Sequence, residues 1–233
     1  MGDCTPVGLH VGILAIQGAF SEHKISLTKA IKNYQFEKPI KLSLVEVREE
    51  ENLEGLDGLI LPGGESTTMA IFLESNGLTQ VLRNWINSDK SRVVWGTCAG
   101  LILMSNEIEG KKQGGQSQIG GLDVTTSRNF FGRQLDSFEC VLDIKDSKLQ
   151  ENFKDSSQKG VHGVFIRAPA VLSVNSPEVK VLATVSTPSS EKPVIVGVGQ
   201  RNLIATAFHP ELTEDPGWHA YFLRKVLAAK IHS

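Results

Sequence analysis

The chain has 233 residues, 40% of them hydrophobic, which is typical of one globular domain with a continuous core. Its 24 basic and 26 acidic residues leave a net charge of −2, which argues against a nucleic-acid or anionic-membrane partner. No apolar run approaches the roughly 20 residues of a transmembrane helix, and residues 1–9 carry no signal-peptide pattern. We therefore expect a single cytoplasmic domain over residues 1–233.

Apolar, strand-like runs alternate with amphipathic runs through the first hundred residues. Strands are predicted over 9–16, 40–47, 56–61 and 92–95. Helical spacing of apolar residues covers 19–31 and 78–86, and helix formers continue to Met104. This order predicts an α/β fold of flavodoxin-like architecture, with a mostly parallel central sheet and helices on both faces.

The middle of the chain does not continue this alternation of strands and helices. The polar, Gly-rich stretch 111–118 predicts a loop, and 143–160 predicts a surface loop with at most a short helix. Short strand candidates around 138–144, 161–166, 179–185 and 193–198 predict antiparallel strands added to the parallel core. Asp215 and Pro216 then supply the N-cap and first turn of a last helix.

The segment Gly96-Thr97-Cys98-Ala99-Gly100 joins a short apolar run to a run of helix formers. G-x-C-x-G is the cysteine form of the nucleophile elbow, in which a strand turns sharply into a helix and exposes the central side chain. The positive end of that helix favours the thiolate. The alternative is a small buried cysteine after a core strand. With Cys4 and Cys140, the cysteines form no metal-ligand spacing, so no metal site is expected.

A second segment, His209-Pro210-Glu211, follows an apolar, strand-like run over 203–208. A cysteine nucleophile needs a base that takes its proton, and the base needs an acceptor that fixes its tautomer. His209 and Glu211 can fill these roles if their strand lies beside the one that carries Cys98. A single histidine is more often an ordinary surface or core residue, so the prediction depends on both segments together.

The loop Pro62-Gly63-Gly64-Glu65-Ser66 follows the strand predicted over 56–61. Consecutive glycines let the backbone approach a ligand and turn an N–H group inward. We expect Gly64 N–H and Ala99 N–H to stabilise the oxyanion of a tetrahedral intermediate. The alternative is a plain turn in which Ser66 or Thr67 caps the next helix.

Two arginines, Arg128 and Arg167, stand next to apolar residues in regions that could face Cys98. A guanidinium suits the α-carboxylate of an amino acid, because it donates two parallel hydrogen bonds. The alternative is an arginine that is solvated or paired with a structural carboxylate such as Glu139. The positions of these arginines in the sequence do not decide between the two interpretations.

The elbow, the Pro-Gly-Gly-Glu-Ser loop and the His-Pro-Glu segment resemble the triad-type glutamine amidotransferase family. More narrowly, the stretches 14–18, 128–134 and 165–169 are similar to the glutaminase subunits of pyridoxal 5′-phosphate synthase. The resemblance extends from residue 9 to residue 227. It implies a catalytic triad and a set of glutamine-binding residues: Cys98, His209 and Glu211 for the former, and Gly64, Glu65, Ser66, Arg128, Ile166 and Arg167 for the latter.

The resemblance also implies an activity and a partner. L-glutamine would be hydrolysed to glutamate and ammonia, and the ammonia would pass to a pyridoxal 5′-phosphate synthase subunit, in a hetero-oligomer that makes vitamin B6. No cofactor is expected for this chain. Two alternatives stay open: another cysteine hydrolase on the same fold, such as a γ-glutamyl hydrolase or an amidotransferase subunit of another pathway, and a non-catalytic scaffolding subunit.

Overall fold

The computed structural model describes residues 5–110, 117–132, 137–153, 160–187 and 190–232. Within these ranges the strands are β1 (Val7–Leu14), β2 (Ile40–Val47), β3 (Gly58–Leu61), β4 (Val93–Thr97), β5 (Ser105–Ile108), β6 (Leu122–Ser127), β7 (Ser137–Ile144), β8 (Val161–Ile166), β9 (Ala170–Val174), β10 (Val179–Val185), β11 (Val194–Gln200) and β12 (Leu203–Thr206). The α-helices are α1 (Phe20–Asn33), α2 (Ser66–Ser75), α3 (Leu78–Ser88), α4 (Ala99–Met104), α5 (Ser147–Glu151) and α6 (Gly217–His232).

Five neighbouring strands run parallel, in the order β2-β1-β3-β4-β12. Every residue of β3, β4 and β12 is buried, because helices cover both faces of a parallel sheet and leave no face for polar side chains. The pairing brings Leu61 beside Gly96 and Thr97 beside Thr206. The chain therefore leaves the sheet at three adjacent points, at the carboxyl ends of β3, β4 and β12.

An antiparallel extension continues the sheet beyond β12. Strands β11, β10, β7 and β8 follow in that order, each antiparallel to its neighbour, and β9 joins β11 to a side branch of β6 and β5. The parallel core with added antiparallel strands confirms the predicted fold class. The three strands of the branch were not predicted, because β5 and β6 are short and each buries only alternate or terminal residues.

The helices pack in two groups. Helix α1 lies against α6, whereas α2 lies against both α3 and α4. Buried apolar side chains form one connected cluster that extends from β1 to α6. None of the described helices is both long enough and apolar enough to cross a membrane.

Within its described residues, the polar stretch 143–160 contains one five-residue helix, α5, in agreement there with the prediction of at most a short helix. The apolar side chains of Ile144, Leu149 and Phe153 in this stretch are buried in the main core. Residues 154–159 of this stretch lie outside the described ranges, as do 111–116 of the predicted Gly-rich loop.

Close backbone packing fixes the junction of β4 and α4. A Cβ at Gly100 would overlap the carbonyl oxygen of Leu61 at the end of β3, and a Cβ at Gly96 would lie 2.6 Å from the Gly100 carbonyl carbon. Side chains at either position would push the helix away from the sheet. The two glycines of the G-x-C-x-G segment therefore serve the close approach of three backbone segments.

We expect Gly100→Ala to lower the melting temperature by several degrees. Alanine gains about 1 kcal/mol of helix propensity over glycine, so a fall in stability reports the steric overlap with Leu61. Gly8→Ala is the matched control, because a Cβ at Gly8 meets nothing within 4 Å. Thermal unfolding followed by circular dichroism compares the two variants, and equal melting temperatures would contradict the packing account.

Candidate active site

Three segments converge where β3, β4 and β12 end. Cys98 follows β4 directly, Gly63 and Gly64 follow β3, and His209 lies three residues beyond β12. A Cβ at Gly63 would overlap the His209 ring and lie 3.2 Å from the Cβ of Cys98. The structure therefore brings the cysteine, the histidine and the glycine loop of the sequence prediction to one point.

The backbone of Cys98 has the conformation that a nucleophile elbow requires. Its φ is 48° and its ψ is −101°. A positive φ costs a residue with a Cβ about 1–2 kcal/mol, and such strain persists where the surroundings hold it. Here the Cys98 N–H donates to the Thr206 carbonyl at 2.8 Å, and the Cys98 carbonyl accepts from Ile102 N–H at 3.3 Å.

His209 is held at both its backbone and its ring. Its N–H donates to the Val164 carbonyl of β8 at 2.8 Å, and its Nδ1 lies 2.8 Å from Glu211 Oε1. The ring and Cys98 are neighbours, because both lie against the same position at Gly63. Burial by itself lowers the pKa of His209, but the hydrogen bonds and charges of Cys98 and Glu211 outweigh it and raise the pKa to about 10. The imidazole is therefore protonated at neutral pH when Cys98 is a thiolate.

Glu211 is a buried carboxylate in the turn Pro210–Leu212, with a side chain that is 0% exposed. Burial alone would raise its pKa, but the neighbouring imidazoles of His23 and His209 keep the pKa below its ordinary value. It is therefore negatively charged at neutral pH. Its charge is the partner that stabilises the His209 cation.

Two buried histidines behind Glu211 were not predicted as part of the site. His23 of α1 has its Nε2 3.4 Å from Glu211 Oε2, and its Nδ1 lies 2.9 Å from Nε2 of His219 on α6. The signal in the sequence is a histidine at an apolar position of a helical pattern, since His23 shares its face with Leu27. His23 and His219 are 196 residues apart in the sequence, so local patterns do not predict their contact.

The glycine loop is followed directly by α2, and Glu65 is its N-cap. The Glu65 carboxylate accepts hydrogen bonds from Thr67 N–H at 3.1 Å and Thr68 N–H at 2.6 Å. The capping residue is thus Glu65, rather than the Ser66 or Thr67 considered from sequence, because its longer side chain folds back over the helix end. Ser66 is buried and Gly64 is exposed.

The two predicted oxyanion donors, Gly64 N–H and Ala99 N–H, lie outside the regular hydrogen bonding of the strands and helices. Ala99 is the first residue of α4, so its N–H has no acceptor within the helix. Gly64 N–H belongs to the peptide that starts at Gly63, and a Cβ at Gly18 would overlap the carbonyl oxygen of Gly63. The turn after β1 therefore touches the peptide that carries the Gly64 donor.

The predicted carboxylate-binding residues lie on two turns of the antiparallel part. Arg128 follows β6, and Ile166 ends β8 beside Arg167, whose φ is 43°. The Phe130 N–H donates to the Ala168 carbonyl at 3.2 Å, which ties the two turns together. Glu139, the alternative partner considered for these arginines, lies 2.9 Å from His162 Nδ1. Arg133 and Gln134 of the 128–134 stretch lie outside the described residues.

A cavity connects the α2 start with the β6 turn. Thr67 of α2 and Arg128 line it together, with Ser105 and Ile119 among its other walls. The start of α2 and Arg128 therefore border one open space, whereas Gly64, Cys98 and His209 are not among the residues that line it.

A cysteine on a strained strand-to-helix turn, next to a histidine that a buried carboxylate orients, defines a cysteine hydrolase of the nucleophile-elbow type. Residues 13–228 match the SNO glutamine amidotransferase family, so the chain belongs to this family and is a glutamine amidotransferase. This confirms both the resemblance and the class of enzyme expected from sequence.

Similar proteins cover nearly the whole chain. The probable pyridoxal 5′-phosphate synthase subunit PDX2 of Arabidopsis thaliana is 43% identical over 232 residues, covering 92% of this chain and 84% of its own length. The pyridoxal 5′-phosphate synthase subunit PdxT of Carboxydothermus hydrogenoformans is 40% identical, with 94% and 98% covered. A crystal structure of a glutamine amidotransferase superposes with a TM-score of 0.72 at 38% identity, covering 93% of this chain and 98% of the other.

The Glu211 and His209 contacts predict a graded loss of activity. We expect His209→Ala to reduce kcat/KM almost as much as loss of the nucleophile, because no other group here returns a proton to the leaving group. Glu211→Gln should be milder, because it removes only the charge that helps to raise the pKa of His209. Steady-state kinetics of both variants measure the order, and a larger loss in Glu211→Gln than in His209→Ala would reverse these roles.

Proposed function

We propose that the chain hydrolyses the side-chain amide of L-glutamine with Cys98 as nucleophile, His209 as acid and base, and Glu211 as the residue that orients His209. The observation that carries the proposal is the convergence of Cys98, the His209 ring and the buried Glu211 carboxylate at one point, where His209 Nδ1 lies 2.8 Å from Glu211 Oε1. The elbow conformation of Cys98 supports it, because it holds the sulfur at the strand ends.

The geometry suits a two-step reaction. The Cys98 thiolate attacks the amide carbon, and Gly64 and Ala99 N–H groups stabilise the resulting oxyanion. Collapse of the tetrahedral intermediate breaks the C–N bond, and the His209 imidazolium protonates the departing nitrogen to give ammonia and a γ-glutamyl thioester. Neutral His209 then takes a proton from water, whose oxygen attacks the thioester and releases glutamate and the Cys98 sulfur.

Recognition of the amino-acid end of glutamine is assigned to the two linked turns that carry Arg128 and Arg167. Arg128 and Arg167 offer guanidinium groups to the α-carboxylate, and Ile166 offers backbone groups beside them. Gly64, Glu65 and Ser66 close the other side. The Glu65 carboxylate is already occupied by the start of α2, so its contribution there is to hold the loop in shape.

We also propose that the ammonia passes directly to a pyridoxal 5′-phosphate synthase subunit in a hetero-oligomer for vitamin B6 synthesis. The similar proteins from Arabidopsis thaliana and Carboxydothermus hydrogenoformans are named as subunits of that synthase. Ammonia released into water at neutral pH is protonated and no longer nucleophilic, so a direct path has a chemical use. A reactive thiol is preserved in a reducing compartment, so we assign the complex to the cytoplasm.

Replacing the nucleophile tests the proposed chemistry. We expect Cys98→Ala to lose glutaminase activity by several orders of magnitude, while glutamine still binds, because the carboxylate contacts lie elsewhere. Glutamate release and calorimetric binding measure the two properties. Turnover above a few per cent of wild type would falsify the assignment. Glutamate release from a γ-glutamyl peptide but not from free glutamine would instead identify a γ-glutamyl hydrolase.

Selective alkylation supplies an internal control for the same residue. Iodoacetamide should label Cys98 ahead of Cys140 at neutral pH, because Cys98 lies beside a histidine that can accept its proton, whereas burial raises the pKa of the Cys140 thiol. Mass spectrometry of the labelled peptides gives the order. Prior labelling of Cys140 would remove the support for an activated Cys98.

Loss of either arginine should affect binding more than chemistry. We expect Arg128→Ala and Arg167→Ala to raise the KM for glutamine more than they lower kcat, because the carboxylate is bound equally in ground and transition states. A lost charge-assisted hydrogen bond costs about 1.5–3 kcal/mol, which is roughly 10- to 150-fold in affinity. Unchanged KM values in both variants would return these arginines to a structural role.

Docking of the synthase should activate the chain. The turn at Gly18 touches the Gly63 peptide, so a partner that contacts this turn can reorient the Gly64 donor. We expect kcat/KM to rise at least tenfold on adding the synthase, which is about 1.4 kcal/mol and within what one oxyanion donor supplies. Equal values for the free and bound chain would contradict this coupling without affecting the triad.

A further inference from the structure

The second carboxylate oxygen of Glu211 has no role in the triad. Oε1 contacts His209, whereas Oε2 is fully buried and has no hydrogen-bond partner of normal geometry among the described residues. An unpaired buried carboxylate oxygen is costly. The group that faces it is His23, whose Nε2 lies 3.4 Å away and also 3.3 Å from the Thr97 hydroxyl.

The surroundings of His23 determine which of its nitrogens carries the proton. Burial lowers the pKa of both His23 and His219, so both rings are neutral at neutral pH. A carboxylate oxygen only accepts hydrogen bonds, so the His23 proton belongs on Nε2. Its Nδ1 then accepts from His219 Nε2–H at 2.9 Å. The remaining nitrogen, His219 Nδ1, is a bare lone pair with no partner among the described residues.

Aromatic packing leaves the two rings little freedom. The Trp95 indole makes edge-on contacts with His23 and His219, with ring centroids 5.7 and 4.9 Å apart. Its Nε1–H donates to the Thr206 hydroxyl at 3.3 Å, which fixes the indole in turn. Both histidines are 0% exposed. Elements α1, α6, β4 and the Glu211 turn therefore meet at one rigid polar cluster.

We propose that His23 is a positioning residue of the catalytic site: its Nε2–H holds Oε2 of Glu211, and His219 fixes the tautomer that makes this possible. With His209 hydrogen-bonded to one oxygen and the His23 ring facing the other at 3.4 Å, rotation of the carboxylate is restricted, so the His209 ring keeps its orientation toward Cys98. This inference rests on the triad roles proposed above and extends them by two residues. Neither histidine touches the substrate.

Two amide substitutions at His23 provide the sharpest test, because their side-chain nitrogens reach different positions. The side-chain nitrogen of His23→Gln reaches the place of Nε2, whereas that of His23→Asn reaches only the place of Nδ1. We expect His23→Asn to lose about tenfold or more in kcat with KM within about twofold of wild type. His23→Gln should recover most of that loss. Equal kcat values in the two variants, or a loss that appears in KM alone, would overturn the proposal.

The assay measures glutamate release by the full chain, alone and with the synthase partner, below the melting temperature of each variant. Leu27→Ala is the control for destabilisation, because Leu27 is buried on the same helix one turn beyond His23. Its kcat should stay within about twofold of wild type although the cavity left by the shorter side chain lowers the melting temperature. A fall in kcat as large as that of His23→Asn would reduce His23 to a structural residue.

Two further variants complete the test. His219→Leu removes the donor to His23 Nδ1 without touching Glu211, so kcat should fall while KM holds, and an unchanged kcat would overturn the tautomer role. Cys98→Ala is measured in parallel. Activity in Cys98→Ala would reject the triad itself, whereas an inactive Cys98→Ala with fully active His23→Asn would reject only the role of His23.

Discussion

A single buried negative charge, the carboxylate of Glu211, organises the site. Moving a carboxylate out of water is costly unless charged or hydrogen-bonding partners replace its hydration. His209 supplies one such partner at 2.8 Å, and His23 faces the other oxygen. The same charge raises the pKa of His209 to about 10, together with Cys98. Burial of Glu211 is therefore tolerated because it stabilises a cation that the reaction uses.

The sheet places these charged groups without help from long loops. Strands β3, β4 and β12 are adjacent and parallel, so their carboxyl ends deliver the glycine loop, the cysteine and the histidine to one edge. Ligands of open α/β sheets generally bind outside the carboxyl ends of the strands. The antiparallel strands reach the same edge from the other side, where β8 receives the backbone N–H of His209. The proposed chemistry and the proposed recognition thus come from different halves of one sheet.

Local sequence patterns carried much of this arrangement. The predicted bounds of β2, β8 and β10 match the structure because each run of apolar residues ends at a clear polar or turn residue. The elbow was also predictable, since the G-x-C-x-G glycines have a steric reason that holds wherever the motif occurs. The positive φ of Cys98 then follows from the same turn.

What the sequence did not reveal depends on distant pairing. Strand β5 has buried residues only at its ends, so its sequence lacks the alternation of buried and exposed residues that is typical of a strand. Its partner strand, β6, comes more than ten residues later in the chain, so a local pattern does not reveal the pairing. In the sequence, His23 is an ordinary position on the apolar face of a helix. Only the folded structure shows that α6 brings His219 beside it. Glu65 caps α2 although Ser and Thr are statistically preferred there. Each of these depends on tertiary packing rather than on local preference.

The glycines around Cys98 have a consequence for how this protein can change. Near the sulfur, the walls are main chain: Gly63 lies against Cys98 and the His209 ring, and Gly100 lies against the Leu61 carbonyl. A side chain added at Gly63 or Gly100 would overlap the His209 ring or the Leu61 carbonyl, so these two walls cannot be changed in size. An engineer who wanted a different amide substrate would find the reacting end fixed and the opposite end, at Arg128 and Arg167, open to redesign. With the binding roles proposed for Arg128 and Arg167, a change of substrate is expected on the antiparallel side of the site rather than at these glycines.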